Sequence, residues 1–125
     1  MITLLLVDDD PMVRQGLRML LGRQATITVV GEATDGAQAI TLAHALQPDV
    51  VLMDLSMPTM DGIKATAALR AAVPDTAVVL LSLYDEETMR ARAYAAGAVA
   101  FIGKQEGVRA LLAAIRQAGR QEREM

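Results

Sequence analysis

Five short apolar runs, most of them ending in a polar or acidic residue, alternate along this chain with stretches of helical spacing. No other feature constrains the fold as strongly. Ile2 to Val7 is apolar and runs into three aspartates, which suits a buried strand. Asp10-Pro11 then has the form of an N-cap followed by a first helical residue. Met12, Val13, Leu17, Leu20 and Leu21 follow at helical spacing, with Gly22 at the exit. Ile27 to Val30 forms a second strand. Asp35-Gly36 opens a second helix through Ala39, Ile40, Ala43 and Leu46, closed by Pro48. Val50 to Met53 is a third strand ending at Asp54, and the turn-rich stretch Met57 to Gly62 follows it. A third helix is expected from about Ile63 to Ala72, where Pro74-Asp75 breaks it. Ala77 to Leu81 is the fourth strand. Asp85 caps a fourth helix to about Ala96, with Gly97 as its C′ residue. Val99 to Ile102 is the fifth strand, and Val108, Leu111, Leu112 and Ile115 form one face of a last helix.

Five strands alternating with five helices imply an α/β domain, a parallel sheet covered by helices on both faces. Strands exposed on one face would alternate apolar with polar residues, and these do not. At 125 residues, 53% hydrophobic and with a net charge of −3, the chain is one ordered domain rather than a disordered segment. It lacks cysteine, so disulfides and thiolate metal sites are excluded. Its apolar runs fall short of the roughly 18 residues of a membrane span, and its N-terminus lacks the basic start of a signal peptide. A cytoplasmic location without membrane attachment is the expectation. A pI near 5.0 argues against a nucleic-acid surface. The aromatics Tyr84, Tyr94 and Phe101 are too few for base stacking or a flavin sandwich.

The acids carry the chemistry. Asp8, Asp9 and Asp10 follow the first strand, and Asp54 ends the third. In a 2-1-3-4-5 strand order these strands are neighbours, and the crevice between them is the switch point where doubly wound sheets bind ligands. Two carboxylates about 4 Å apart repel by roughly 4 kcal/mol at an effective dielectric near 20. A hard divalent cation resolves such a cluster, and Mg²⁺ favours a few carboxylates, several waters and a phosphate oxygen. Asp10 is set apart as a cap, because Pro11 follows it. Ser82 after the fourth strand and Lys104 after the fifth fall on the same carboxyl edge. With a phosphoryl group on Asp54, Mg²⁺, Lys104 and the Ser82 hydroxyl would be its oxygen partners.

Over nearly its whole length the chain resembles the receiver domain of bacterial two-component response regulators. The resemblance is carried by VDDDP at 7–11, DVVLMDLSMPTMDG at 49–62, LLS at 80–82 and AGAVAFIGK at 96–104. DLSMPTMDG is most similar to the branch with a LuxR-type helix-turn-helix output domain. The resemblance implies a flavodoxin-like doubly wound five-stranded parallel sheet in the order 2-1-3-4-5, with five helices. It makes Asp54 the phospho-acceptor, Asp9 a direct Mg²⁺ ligand and Asp8 an acid acting through a metal-bound water. The backbone carbonyl of Ser56 becomes a further Mg²⁺ ligand, Ser82 the switch hydroxyl, Phe101 the switch aromatic and Lys104 the phosphate-binding lysine. Pro58 and Gly62 shape the loop after Asp54. Ser56 and Tyr84, two residues beyond Asp54 and Ser82, would flank the phosphoryl group and govern its access to water. Ser82 lacks the methyl of the commoner Thr, Phe101 lacks the hydroxyl of the commoner Tyr, and Gln105 stands where Pro often follows the lysine.

The resemblance also implies partners. A sensor histidine kinase would supply phosphoryl, and phosphorylation would drive homodimerisation. DNA would be reached only through an output domain absent from this chain, with residues 1–120 as the receiver and 121–125 as the start of a linker or tail. The domain would catalyse its own phosphotransfer and slow self-dephosphorylation without being an enzyme otherwise. Arg109, Arg116 and Arg120 on the last helix are either a solvated face or a contact for Asp85, Glu86 and Glu87 of a twofold mate. The methionines suit core filling and the loop around the site. His44, without a second His or Cys, suits a helix surface better than a metal. Two other readings compete. A haloacid-dehalogenase-like Mg²⁺ phosphatase would use Asp8 and Asp10 as its Asp-x-Asp pair, but Pro11 and the lack of a cap domain oppose it. A flavodoxin-like FMN carrier would need a hydroxyl-rich loop where VDDDP stands.

Overall fold

The computed structural model describes the backbone of residues 1–55, 61–83 and 87–124, and the side chains of these as far as residue 120. In chain order the elements are β1 (Ile2–Val7), α1 (Pro11–Gly22), β2 (Ile27–Ala33), α2 (Gly36–Leu46), β3 (Val50–Asp54), α3 (Gly62–Ala72), β4 (Ala77–Ser82), α4 (Glu87–Ala95), β5 (Ala100–Gly103) and α5 (Val108–Glu124). A single 3₁₀ turn, Lys104–Glu106, joins β5 to α5. The strands form one parallel sheet in the order β2-β1-β3-β4-β5: the parallel sheet follows from the alternating pattern, and its doubly wound flavodoxin-like order is the one the resemblance implies.

Side chains alternate across the sheet and divide the core in two. Leu5, Val7, Val51, Met53, Val78, Leu80 and Phe101 face α2, α3 and α4, where Ala39, Ala43, Ala65, Leu69 and Ala93 let the helices approach closely. Leu4, Leu6, Val50, Leu52, Val79 and Leu81 face α1 and α5, meeting Leu21, Leu111, Leu112 and Ile115. β1, β3 and β4 are buried almost throughout because both faces are covered.

Helix starts follow the aspartates. Asp10 Oδ1 accepts from the backbone N–H of Met12 at 2.9 Å and of Val13 at 3.4 Å, with Pro11 as the first helical residue. Asp35 Oδ1 accepts from Gln38 N–H at 2.8 Å. Asp61 does the same for α3, accepting from Ile63 and Lys64. α3 therefore starts at Gly62, one residue earlier than the apolar spacing suggests. A Cβ at Gly62 would also crowd the end of the Leu55 side chain, which would have to shift to admit it. Gly97 ends the fourth helical segment at φ +111°, the left-handed conformation that glycine adopts without cost. The Asp85 cap of α4 lies outside the described residues.

Several expectations need correction. Met12 and Met19 are not core fillers; they are 81% and 57% exposed. Seven residues apart, they share a strip of α1 turned away from the Val13, Leu17, Leu20 and Leu21 face, because Met12 sits one 100° step off it. β2 runs three residues beyond Val30. Leu4 pairs with Val29 and Leu5 with Gly31, so Val30 is an extra residue bulged out of the ladder. As an edge strand, β2 is also only partly buried, unlike the central strands. β5 starts and ends one residue later than the apolar run, at Ala100–Gly103, which carries Lys104 to the very end of the sheet.

Candidate functional site

The register brings the expected residues to one edge. Val7 is level with Met53, Asp54 with Leu81, and Ser82 with Gly103. The residues at or just past these positions are Asp8, Asp54, Ser82 and Lys104. Asp54 is 6% exposed, and its Oδ2 accepts from Lys104 Nζ at 3.0 Å. The Leu55 N–H donates to Leu81 O at 2.8 Å, so the chain is still held to β4 just past Asp54. The Ser82 residue is buried on the same edge.

Asp8 is the most constrained of the acids. Its N–H donates to Ala33 O, and its carbonyl accepts from Arg14 Nη1 at 2.9 Å. Its Oδ1 accepts from Asp10 N–H at 2.9 Å. Its Oδ2 is buried and has no hydrogen-bond partner among the described residues. Burial, and next the neighbouring Asp54 carboxylate, push the Asp8 carboxyl from its ordinary 3.8 up to about 6, although the Asp10 N–H and Lys104 pull the other way. As a carboxylate, Asp8 confronts a second acceptor; with a proton on it, it can donate to Asp54. Asp9 is half-buried beside it, and Asp10 is exposed and committed to its cap.

The donor set suits a hard cation. Among the described residues no three His, Asp or Glu side chains gather into a cage of their own, and the buried acids at this edge are Asp8 and Asp54. A partnerless buried carboxylate oxygen next to a second carboxylate is what Mg²⁺ would satisfy while keeping several waters. Ser56, whose carbonyl was expected to complete the ligands, lies outside the described residues, as do Pro58, Met57, Met60 and Tyr84.

Phe101 is 1% exposed, with its ring against the core side that faces α2, α3 and α4. The ring is thus part of the packed core on that side of the sheet. The Arg90 guanidinium carbon lies 4.8 Å above the ring centroid, and Arg90 Nη1 donates to Phe101 O at 3.0 Å. Glu106 Oε2 accepts from Gly103 N–H at 2.7 Å and lies 3.7 Å from Arg90 Nη2.

Sequence reasoning missed four residues around this edge. Arg14 joins the Asp8 carbonyl to Glu32 at the end of β2, and Arg90 and Glu106 frame the lysine turn. Glu106, two residues past the lysine and just before Gly107, carried a local turn signal. Arg90 carried none, because its partners come from β5 and the turn after it. Away from this edge, His44 is exposed on α2, and Arg116 donates to Gln24 at 2.9 Å, so that arginine is engaged within its own chain. Asp85 and Glu86 are outside the described residues. No helix among the described residues is long and apolar enough to cross a membrane.

The comparisons agree with this arrangement. The family described as the response regulator receiver domain matches residues 4–116. The chain is 42% identical over 117 residues to the uncharacterized transcriptional regulatory protein YxjL of Bacillus subtilis, covering 94% of this chain and 54% of that one. It is 38% identical to the receiver domain of the putative response regulator NarL from Mycobacterium tuberculosis, covering 92% and 96% of the two chains with a TM-score of 0.81. It is 30% identical to a LuxR-family two-component response regulator from Aurantimonas, covering 99% of each with a TM-score of 0.79. The chain spans a little over half the length of the curated relatives it matches.

Proposed function

The chain belongs to the response regulator receiver domain family, of the LuxR and NarL type, and we propose that it accepts phosphoryl on Asp54 from a sensor histidine kinase. The observation that carries this reading is the pairing of two buried carboxylates with one ammonium at the sheet edge. Asp54 meets Lys104 at 3.0 Å, and Asp8 beside them presents an oxygen with no partner among the described residues.

The Asp54 carboxylate attacks phosphorus in line; the new P–O bond forms as the P–N bond to the kinase imidazole breaks, and the imidazole leaves with that electron pair. Bound Mg²⁺, held by Asp9 and Asp54 with Asp8 through water and the Ser56 carbonyl, would supply charge neutralisation for the phosphoryl oxygens. Lys104 exchanges its contact with Asp54 Oδ2 for a phosphoryl oxygen, staying on the same edge. Ser82 offers a hydroxyl to a second oxygen. Ser56 and Tyr84, by the family resemblance, would flank the group and limit the approach of water. Phosphorylation adds about 1.5 to 2 negative charges. This charge draws the Ser82 hydroxyl inward, Phe101 follows, and the α4–β5–α5 face repacks.

That face would drive dimerisation and control a DNA-binding output domain in the cytoplasm, as the transcriptional relatives suggest. The domain catalyses its own phosphotransfer and slow hydrolysis but turns over no metabolite. A stand-alone receiver within a phosphorelay would use the same site without the output domain. Incubation with a small acyl phosphate and Mg²⁺ tests the reading. Intact mass should show one added phosphoryl in the wild type and none in Asp54→Asn; undiminished addition in the variant refutes it.

A further inference from the structure

β5 is an edge strand, so one side of its backbone has no neighbouring strand. Two groups on it are nevertheless engaged by side chains. Phe101 O accepts from Arg90, and Gly103 N–H donates to Glu106, while Arg90 and Glu106 lie within ion-pair distance of one another. The Arg90–Glu106 pair gives this edge one donor and one acceptor, as a further strand would. Gly103 is also the residue from which the Lys104–Glu106 turn departs. The direction in which Lys104 leaves the sheet therefore depends on an N–H that Glu106 holds at 2.7 Å.

We propose that Glu106 is a positioning residue for Lys104, and that its ion pair with Arg90 ties the lysine turn to the Phe101 ring. The lysine meets the phosphoryl group and the ring belongs to the face that responds, so the two ends of the switch share one link. This inference rests on the phosphoryl reading of the site. A purely structural part for Glu106 accounts for less, because the pair is roughly one-third exposed on both sides and surface pairs of this kind contribute little to stability. An error in the aim of a charged group near reacting atoms, by contrast, lowers rates steeply.

The experiment follows phosphoryl incorporation from a small acyl phosphate with Mg²⁺ in the whole chain. Glu106→Ala should slow it roughly tenfold through misplacement of Lys104. Glu106→Gln should recover most of the rate, because the amide oxygen still accepts from Gly103 N–H. In a Lys104→Ala background, Glu106→Ala should cost nothing more, as expected of residues acting in series. Phe101 is the only phenylalanine, so its ring gives a single labelled nuclear magnetic resonance signal. Phosphorylation should shift that signal in the wild type and much less in Glu106→Gln, where the ion pair to Arg90 is gone. A wild-type rate in Glu106→Ala, or equal slowing with and without Lys104, overturns the positioning role. An undiminished ring shift in Glu106→Gln overturns the tie to Phe101. Failure of the wild type to take phosphoryl, or labelling of Asp54→Asn, sinks the site reading itself and is seen in separate samples.

Discussion

Replacing Asp8 by Asn should stabilise the protein, and the gain should depend on pH. The Asp8 carboxyl is 1% exposed and is pushed from 3.8 up to about 6, chiefly by burial and secondarily by Asp54. Below pH 3.8 the acid is protonated in both the folded and unfolded chain and costs nothing. Between 3.8 and about 6 the unfolded chain releases the proton first, so stability falls as pH rises. Above the folded value the cost is complete, about 3 kcal/mol at roughly 1.4 kcal/mol per pH unit. Asn keeps an oxygen for the Asp10 N–H now bonded to Oδ1 at 2.9 Å and carries no charge to desolvate. In metal-free buffer at pH 8, chemical denaturation should therefore show Asp8→Asn more stable by about 2–3 kcal/mol, with the difference fading towards pH 4. Mg²⁺ should narrow the gap by stabilising the wild type more than the variant. A variant less stable at pH 8, or a gain equal at pH 4 and pH 8, would mean that Asp8 is not an uncompensated buried carboxylate.

Lys104→Ala should leave Mg²⁺ affinity largely intact but blunt the phosphorylation-induced shift of the Phe101 ring; a full shift would remove Lys104 from the switch. Asp10→Ala removes the oxygen that caps α1 and should cost about 1 kcal/mol in denaturant unfolding with little change in Mg²⁺ affinity, whereas a severe loss of affinity would favour the Asp-x-Asp phosphatase arrangement. Gly62→Ala crowds a Cβ against the end of the Leu55 side chain and should destabilise by about 1–3 kcal/mol; an unchanged denaturation midpoint would show that Leu55 moves freely.

The sheet was legible because its chemistry is local and repetitive. Each central strand is buried on both faces and so is apolar throughout, and the helices open on aspartates that accept their first N–H groups. The edge was legible for the same reason, since Asp54 and Lys104 follow strands directly and the strand order makes their ends converge. What escaped depends on partners distant in the chain. The bulge at Val30 is set by pairing with β1, and the outward side of Met12 by the packing of the Leu17 and Leu21 side of α1 against the sheet. Arg90 stacks on a ring eleven residues away, a contact that no periodicity announces. The third helix start was legible but overlooked: Asp61-Gly62 repeats the Asp35-Gly36 signal.

The central claim is that Asp54 carries an acyl phosphate. Its most direct test is reductive trapping of the phosphorylated wild type with borohydride, followed by peptide mass spectrometry. An aspartyl phosphate at position 54 is reduced to homoserine there, and that product is the predicted result. Homoserine at position 8 or 9, or a reduction-resistant phosphate on Ser82, would contradict the account.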